Sequence, residues 1–357
     1  MSGIEDAGKE KIKLTAFSRG AGCGCKIAPG VLSEILSNEK ITPFGNLLVG
    51  NSSSDDAAVY DMGNGTALIS TTDFFMPIVD DAFDFGRIAA ANAVSDVYAM
   101  GGKPIMALAI LGWPIDKLPI SLAGEVMEGA RKICDQINIP LAGGHSIDSA
   151  EPFFGLSVNG VVDITKLKKN NTAKEGDLIF ITKPIGVGIL STAQKRGVLL
   201  PGDQRVLIDQ LTQLNTIGEK LGAVEGVTAM TDITGFGLAG HLLEMAEGSG
   251  LSAQIAYLKI PLCEGVKHYL EMKIMPDATF RNWNSYSKKI DFEKGVDVME
   301  AFTTLPDPQT NGGLLIAVNP AAVNEVKNIL EECGFGKMTN SIGQFISQQG
   351  KVIMVTP

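Results

Sequence analysis

The chain has 357 residues, 45% of them hydrophobic and 20% charged, a balance that supports buried cores and excludes a disordered chain. Thirty Lys and Arg against 40 Asp and Glu give a net charge of −10, which repels a nucleic-acid backbone and an anionic membrane, so neither is an expected partner. The length exceeds what one core ordinarily serves and predicts two domains.

The stretch Met1–Lys13 is polar, without the apolar region of a secretory signal, and no apolar run is long enough for a bilayer. Residues 1–45 carry Gly20, Gly22, Gly24, Pro29, Gly30, Pro43 and Gly45 around one short helical candidate, Val31–Leu36, and read as a flexible segment. Strands are expected at Leu47–Val49, Ala57–Tyr60 and Thr66–Ser70, the last two joined through Asn64-Gly65. Ile88–Met100 reads as a buried helix stopped by Gly101-Gly102. A strand at Pro104–Leu111, an amphipathic helix at Leu118–Ile137 and a strand at Phe153–Val162 complete an α+β or α/β first domain, 46–168. The polar stretch Lys166–Asp177 leads into a second α/β domain, 169–357. Its expected elements are strand Leu178–Thr182, helices Gly188–Lys195 and Gln204–Leu221, strand Val227–Met230, helix Phe236–Glu247, and strands near Leu314 and Val352.

Acidic residues recur where charges need partners. Asp55 and Asp56 sit in a polar loop, Asp73 is expected at the carboxyl end of a strand, and Asp232 follows the strand Val227–Met230. Asp96 falls within the buried helix, with Asn92 one turn earlier on the same face. An unpaired buried carboxylate costs on the order of several kcal/mol, so a cation is an economical partner, and an all-oxygen donor set suits Mg²⁺ rather than zinc. Each Asp taken alone also reads as a helix or turn cap. Gly143-Gly144-His145 follows a short apolar stretch and reads as a turn, either a plain one or one whose N–H groups approach a phosphate. His241 and His268 lack ligand spacing and read as structural or exposed. Gly235-Phe236-Gly237-Leu238-Ala239-Gly240 fits G-x-G-x-x-G, but Tyr257–Ile260 stands where a ribose-binding acid is needed, and no Walker A sequence occurs.

Five cysteines, an odd number, argue for reduced thiols and a cytoplasmic setting. Cys134, Cys263 and Cys333 lie in helical or apolar stretches and read as inert. Cys23, Cys25 and Lys26 stand together among glycines, where a nearby lysine favours the reactive thiolate. Three readings stay open on these residues: a mobile nucleophile, half of a zinc site, or incidental cysteines in a tail. Zinc is the weakest, because no second Cys or His pair stands at usable spacing.

Six segments taken together carry a resemblance: Gly20–Lys26, Asp55–Val59, Ser70–Phe74, Ala142–His145, Thr231–Gly237 and Asp307–Thr310. They resemble the selenophosphate synthetases of the aminoimidazole ribonucleotide synthetase-like superfamily, over nearly the whole chain. The resemblance implies a two-domain fold of that superfamily, α+β/α/β, with a flexible glycine-rich N-terminal segment. It implies the conversion of ATP, selenide and water to selenophosphate, AMP and orthophosphate, with more than one Mg²⁺ and a monovalent cation such as K⁺ as further candidates. A homodimer joined through the N-terminal sheets and a selenium-delivery protein are the implied partners. Cys23 and Lys26 would be catalytic, Lys26 also contacting ATP. Ser53, Ser54, Asp55, Asp73, Asp96, Gly143, Gly144 and His145 would line the nucleotide, and Asp56, Asp96 and Asp232 would hold metal. Asn311 stands where a serine is common in the family. Two other activities compete: a superfamily relative making ADP from a ribotide or thiamine phosphate, and a carrier that binds selenium or sulfur through Cys23 without catalysis.

Overall fold

Strand β3, expected to end at Ser70, runs over Thr66–Phe75 because its pairing with β6 (Phe153–Asp163) is unbroken from Thr66 opposite Asp163 to Phe75 opposite Phe154. With β1 (Leu47–Val49), β2 (Ala58–Asp61), β4 (Lys103–Trp113) and β5 (Leu141–Asp148) these strands form a six-stranded sheet, ordered β1-β2-β3-β6-β4-β5. All neighbours are antiparallel except β4 and β5, which run parallel because helix α2 (Ile120–Gln136) connects them. The computed structural model describes residues 12–27, 31, 34–35, 44–50 and 55–357. Ser53, Ser54 and most of the expected helix Val31–Leu36 lie outside these residues.

Helix α1 spans Ala82–Ala99 and starts a turn and a half before the expected Ile88, because Asp81 caps it by accepting from the Asp84 N–H at 3.0 Å. It is buried nearly all round. One side packs on the first sheet and α2, and the other meets elements of the second domain, so the helix is buried on nearly every face and carries polar side chains only where they find partners.

The second sheet has seven strands in the order β10-β13-β9-β12-β7-β11-β8, comprising β7 (Leu178–Ile181), β8 (Val227–Asp232), β9 (Leu251–Ala256), β10 (Ile290–Phe292), β11 (Leu314–Val318), β12 (Gly343–Ser347) and β13 (Ile353–Thr356). Every residue of β11 is buried, since apolar clusters lie on both faces of the sheet. The edge strand β8 faces α1 and brings the second domain to the first. Helices α3 (Val187–Lys195), α4 (Pro201–Thr212), α5 (Ile217–Gly222) and α6 (Gly237–Gly248) follow in chain order. After them come α7 (Val266–Glu271), α8 (Asp277–Tyr286), α9 (Val298–Thr304) and α10 (Val323–Glu332). The single helix expected over Gln204–Leu221 is thus two. The carbonyls of Leu211 and Gln213 accept from the Asn311 amide instead of continuing a helical ladder, and Gln213 is extended. Among the described residues no helix is long and apolar enough to cross a membrane.

Candidate active site

Two residues on a strand advance about 6.6 Å and four on a helix about 6 Å, so a strand and a helix lying side by side can match rungs at those spacings. Strand β3 and helix α1 do this. Thr71 Oγ1 donates to Asp96 Oδ2, and Asn92 Nδ2 donates to Asp73 Oδ2 at 2.8 Å. Asp73 therefore lies within a strand, not beyond its carboxyl end, and reaches the site because it shares the α1-facing side of β3 with Ala67, Ile69 and Thr71. Asp232 ends β8 and accepts from Ser95 Oγ at 2.5 Å, while Thr231 Oγ1 donates to Asp56 Oδ1 at 2.7 Å. A loop, a helix and a strand from two domains thus bring Asp56, Asp96 and Asp232 together, with carboxylate oxygens within 4.8 Å of one another.

Such a cluster is electrostatically costly. Burial pushes the Asp56 and Asp96 carboxyls well above the ordinary carboxylate range, and their acidic neighbours add to it. Burial also raises Asp232, although the hydrogen bond from Ser95 opposes the shift. Asp55 is pushed up to about 6 by burial, against the backbone N–H donors of Asp56 and Asn170. Among the described residues, the buried Asp55 Oδ2 and Asp56 Oδ2 have no hydrogen-bond partner. Orphaned carboxylate oxygens, crowded acids and an all-oxygen donor set fit a hard divalent cation such as Mg²⁺.

The cysteine segment is built against this cluster. The Gly22 N–H donates to Met76 O at 3.1 Å, the Cys23 N–H to Thr310 Oγ1 at 2.9 Å, and Arg281 Nη2 of α8 to Gly24 O at 2.7 Å. Lys195 Nζ donates to the carbonyls of Ser18 and Gly20 at 3.0 and 3.2 Å. A Cβ at Gly235 would lie 2.5 Å from the Cys23 carbonyl oxygen, so the first glycine of the G-x-G-x-x-G run permits close packing of this segment. Cys23 is packed in place rather than left loose at the surface. It is 1% exposed, its Sγ donates to Asn92 Oδ1 at 3.3 Å, and burial holds its pKa far above the ordinary value despite the opposing field of Lys26. The Cys25 thiol turns to Gly22 O, and no cysteine is in a disulfide.

Lys26 Nζ lies 3.5 Å from Asp73 Oδ1. Burial works against its charge, but the fields of Asp73, Cys23, Asp96 and Asp232 prevail and hold the ammonium above the ordinary lysine value. The side chain itself keeps 38% exposure, so the charged lysine is open to a ligand entering from solvent.

Gly143, Gly144 and His145 are not a turn. They belong to β5, an exposed edge strand paired with β4, where Gly144 at φ 154 passes so close to β4 that a Cβ would lie 2.1 Å from Ala109 O. His145 is exposed and pairs opposite Ile110. His241 is structural: its Nε2 accepts from the Thr234 N–H at 3.1 Å and its Nδ1 lies 3.3 Å from Glu244, which fixes the turn after Asp232. Lys183 escaped the sequence reading. It is buried, donates to the carbonyls of Gln213 and Asn311 at 2.6 and 2.8 Å, and is pushed down to about 7 by burial, partly offset by Asp232. The available signal was a lysine directly after the apolar strand Leu178–Thr182.

Comparison with known proteins follows the same lines. The family model for the N-terminal domain of AIR synthase related proteins matches residues 54–162, and that for their C-terminal domain matches residues 174–356. Proteins named selenide, water dikinase from Shigella flexneri and from Escherichia coli (strain K12) are 52% identical over 350 residues, covering 97% of this chain and 99% of theirs. Thiamine monophosphate kinase from Aquifex aeolicus superposes with a TM-score of 0.65 at 18% identity, covering 92% of this chain and 98% of that one. Hydrogenase maturation protein HypE in complex with ATP gives a TM-score of 0.65 at 19% identity, covering 97% and 94%. These two share the fold.

Proposed function

The chain belongs to the selenide, water dikinase family, and we propose how its residues carry that enzyme's conversion of ATP, selenide and water to selenophosphate, AMP and orthophosphate. The observation that carries the proposal is the meeting of Asp56, Asp96 and Asp232 within 4.8 Å beside the Lys26–Asp73 pair and the Cys23 thiol. Asp56, Asp96 and Asp232 hold magnesium, more than one ion being suited to a triphosphate cut at two places. Bound there, magnesium would neutralise charge along the phosphates. Ser53, Ser54, Asp55, Asp73, Asp96, Gly143, Gly144 and His145 line the nucleotide.

Selenide and a phosphoryl group repel each other, so their approach needs positive charge that is held in place beforehand. Lys26 supplies it, and Asp73 keeps its ammonium charged and oriented. Cys23 receives the selenide next to that ammonium. The backbone bonds of residues 22–24 to Met76, Thr310 and Arg281 seat the segment over the acids, where it excludes water from the first phosphoryl transfer.

A second copy of the chain is part of the proposal. Tyr60, Phe74 and Ile105 of the first sheet are 47%, 51% and 41% exposed, large apolar side chains of the kind an interface covers. Joining the N-terminal sheets of two copies would bring the β5 edge and His145 next to the partner. Chromatography of the nucleotide products with and without selenide tests the functional reading. Selenide-dependent AMP supports it, whereas ADP as the sole product, formed without selenide, would instead mark a kinase acting on another acceptor.

A further inference from the structure

Among the described residues, three other than glycine have a positive φ: Asn138, Lys273 and Asn311. Asn138 and Lys273 are exposed and each follows the end of a helix, where a left-handed residue is an ordinary stop. Asn311 is fully buried, follows no helix and has φ 48. That conformation is sparsely populated outside glycine, and asparagine tolerates it better than most residues.

The turn at Asn311 aims its groups in separate directions. Its N–H donates to Asn92 Oδ1 at 2.7 Å, its carbonyl accepts from Lys183 Nζ at 2.8 Å, and its Nδ2 donates to the carbonyls of Leu211 and Gln213 at 2.8 Å. The bond to Asn92 removes any ambiguity in that side chain. A backbone N–H can only donate and a carboxylate only accept, so the Asn92 oxygen must face Asn311 and its nitrogen must face Asp73. The same oxygen then has room for one further donor, and Cys23 Sγ occupies that place at 3.3 Å.

We propose that Asn311 is a positioning residue for the reaction: its left-handed backbone turn fixes the Asn92 amide, which in turn sets the Cys23 thiol and Asp73 in register with Lys26. The inference rests on the reading of Cys23 and Lys26 as the groups that receive selenide. Asn311 touches none of the reacting groups itself and acts only through Asn92.

Two variants separate the backbone turn from the side chain. Asn311→Gly keeps the left-handed conformation and loses the amide anchors, while Asn311→Val resists that conformation through its branched Cβ. For each folded full-length variant, kcat and KM for ATP are measured with selenide, and Cys23 alkylation by iodoacetamide is followed at residue level by mass spectrometry. Asn311→Gly is expected to stay within about threefold of wild type in kcat, and Asn311→Val to lose about tenfold in kcat with KM within about twofold. In Asn311→Val, Cys23 is alkylated roughly fivefold faster, as a thiol released from its acceptor becomes more accessible. Should the valine variant not fold, Asn311→Ala carries the same comparison. Wild-type kcat and alkylation in a folded valine or alanine variant would overturn the proposal, as would a glycine variant as impaired as valine. Full activity of Cys23→Ser alongside faster alkylation in Asn311→Val would refute the catalytic reading of Cys23 and uphold the placement by Asn311.

Discussion

Ser95 on helix α1 donates to Asp232 at the end of strand β8, so a hydroxyl of the first domain orients a carboxylate of the second. The direction is fixed, because Asn215 Nδ2 donates to Ser95 Oγ at 2.8 Å and leaves the hydroxyl proton for Asp232. Ser95→Ala removes the group that orients a proposed metal ligand without touching the ligand. The expected result is a loss of about tenfold in divalent-cation affinity, measured by Mn²⁺ titration, since partners of metal ligands commonly tune affinity by about 10–100-fold.

The acid cluster itself predicts opposite effects with and without metal. The half-buried Asp56 carboxylate suffers from its own desolvation and from Asp232, Asp55 and Asp96, so Asp56→Asn relieves repulsion. Metal-free, the variant is expected to melt a few degrees higher than wild type, by about 1 kcal/mol or more. The rise in melting temperature that Mg²⁺ gives wild type should disappear. Scanning calorimetry with EDTA and with Mg²⁺ reads both halves, and a variant still stabilised by Mg²⁺ as strongly as wild type would remove Asp56 from the ligand set.

Lys26 is paired with Asp73 and stays charged against burial. Lys26→Met should lower kcat/KM for ATP by about 10²-fold, the scale of losing one preorganised electrostatic group, and Lys26→Arg should recover part of it. Steady-state rates with saturating selenide check this, with circular dichroism reporting on folding.

Much of this arrangement was legible in the sequence and some was not, for reasons specific to each residue. Asn92 and Asp96 are four apart on one helix, so their shared face follows from local periodicity. That they meet Asp73 and Thr71 depends on the register of β3 against α1, which no local signal carries. Gly143-Gly144 reads as a turn, yet the glycines serve a close passage of β5 along β4, a use visible only once Ala109 lies opposite. The identity of Cys23 pointed to chemistry, but its burial is supplied by Thr310 and Gly235, far along the chain. The break between α4 and α5 likewise depends on Lys183 and Asn311 taking carbonyls from a distance.

Asp307 offers a pH test away from the acid cluster. It is buried and pushed up to about 8 by desolvation, against hydrogen bonds from Gln309 and from the Gly188 and Ile189 N–H groups at the start of α3. A raised folded pKa means that the native state binds this proton more tightly than the unfolded chain. Its contribution to stability is therefore greatest below pH 3.8 and declines as pH rises to about 8. Asp307→Asn should flatten that part of the profile, so the melting temperature of the variant minus that of wild type grows between about pH 5 and 8. A constant difference across that range would contradict the assignment.

Phosphorus NMR of wild type and Cys23→Ser incubated with ATP, Mg²⁺ and selenide shows whether Cys23 and the acid cluster together make selenophosphate. Wild type should form selenophosphate, AMP and orthophosphate in equal amounts, and Cys23→Ser should form no selenophosphate above background. Selenophosphate appearing at the wild-type rate in the serine variant would contradict that joint role.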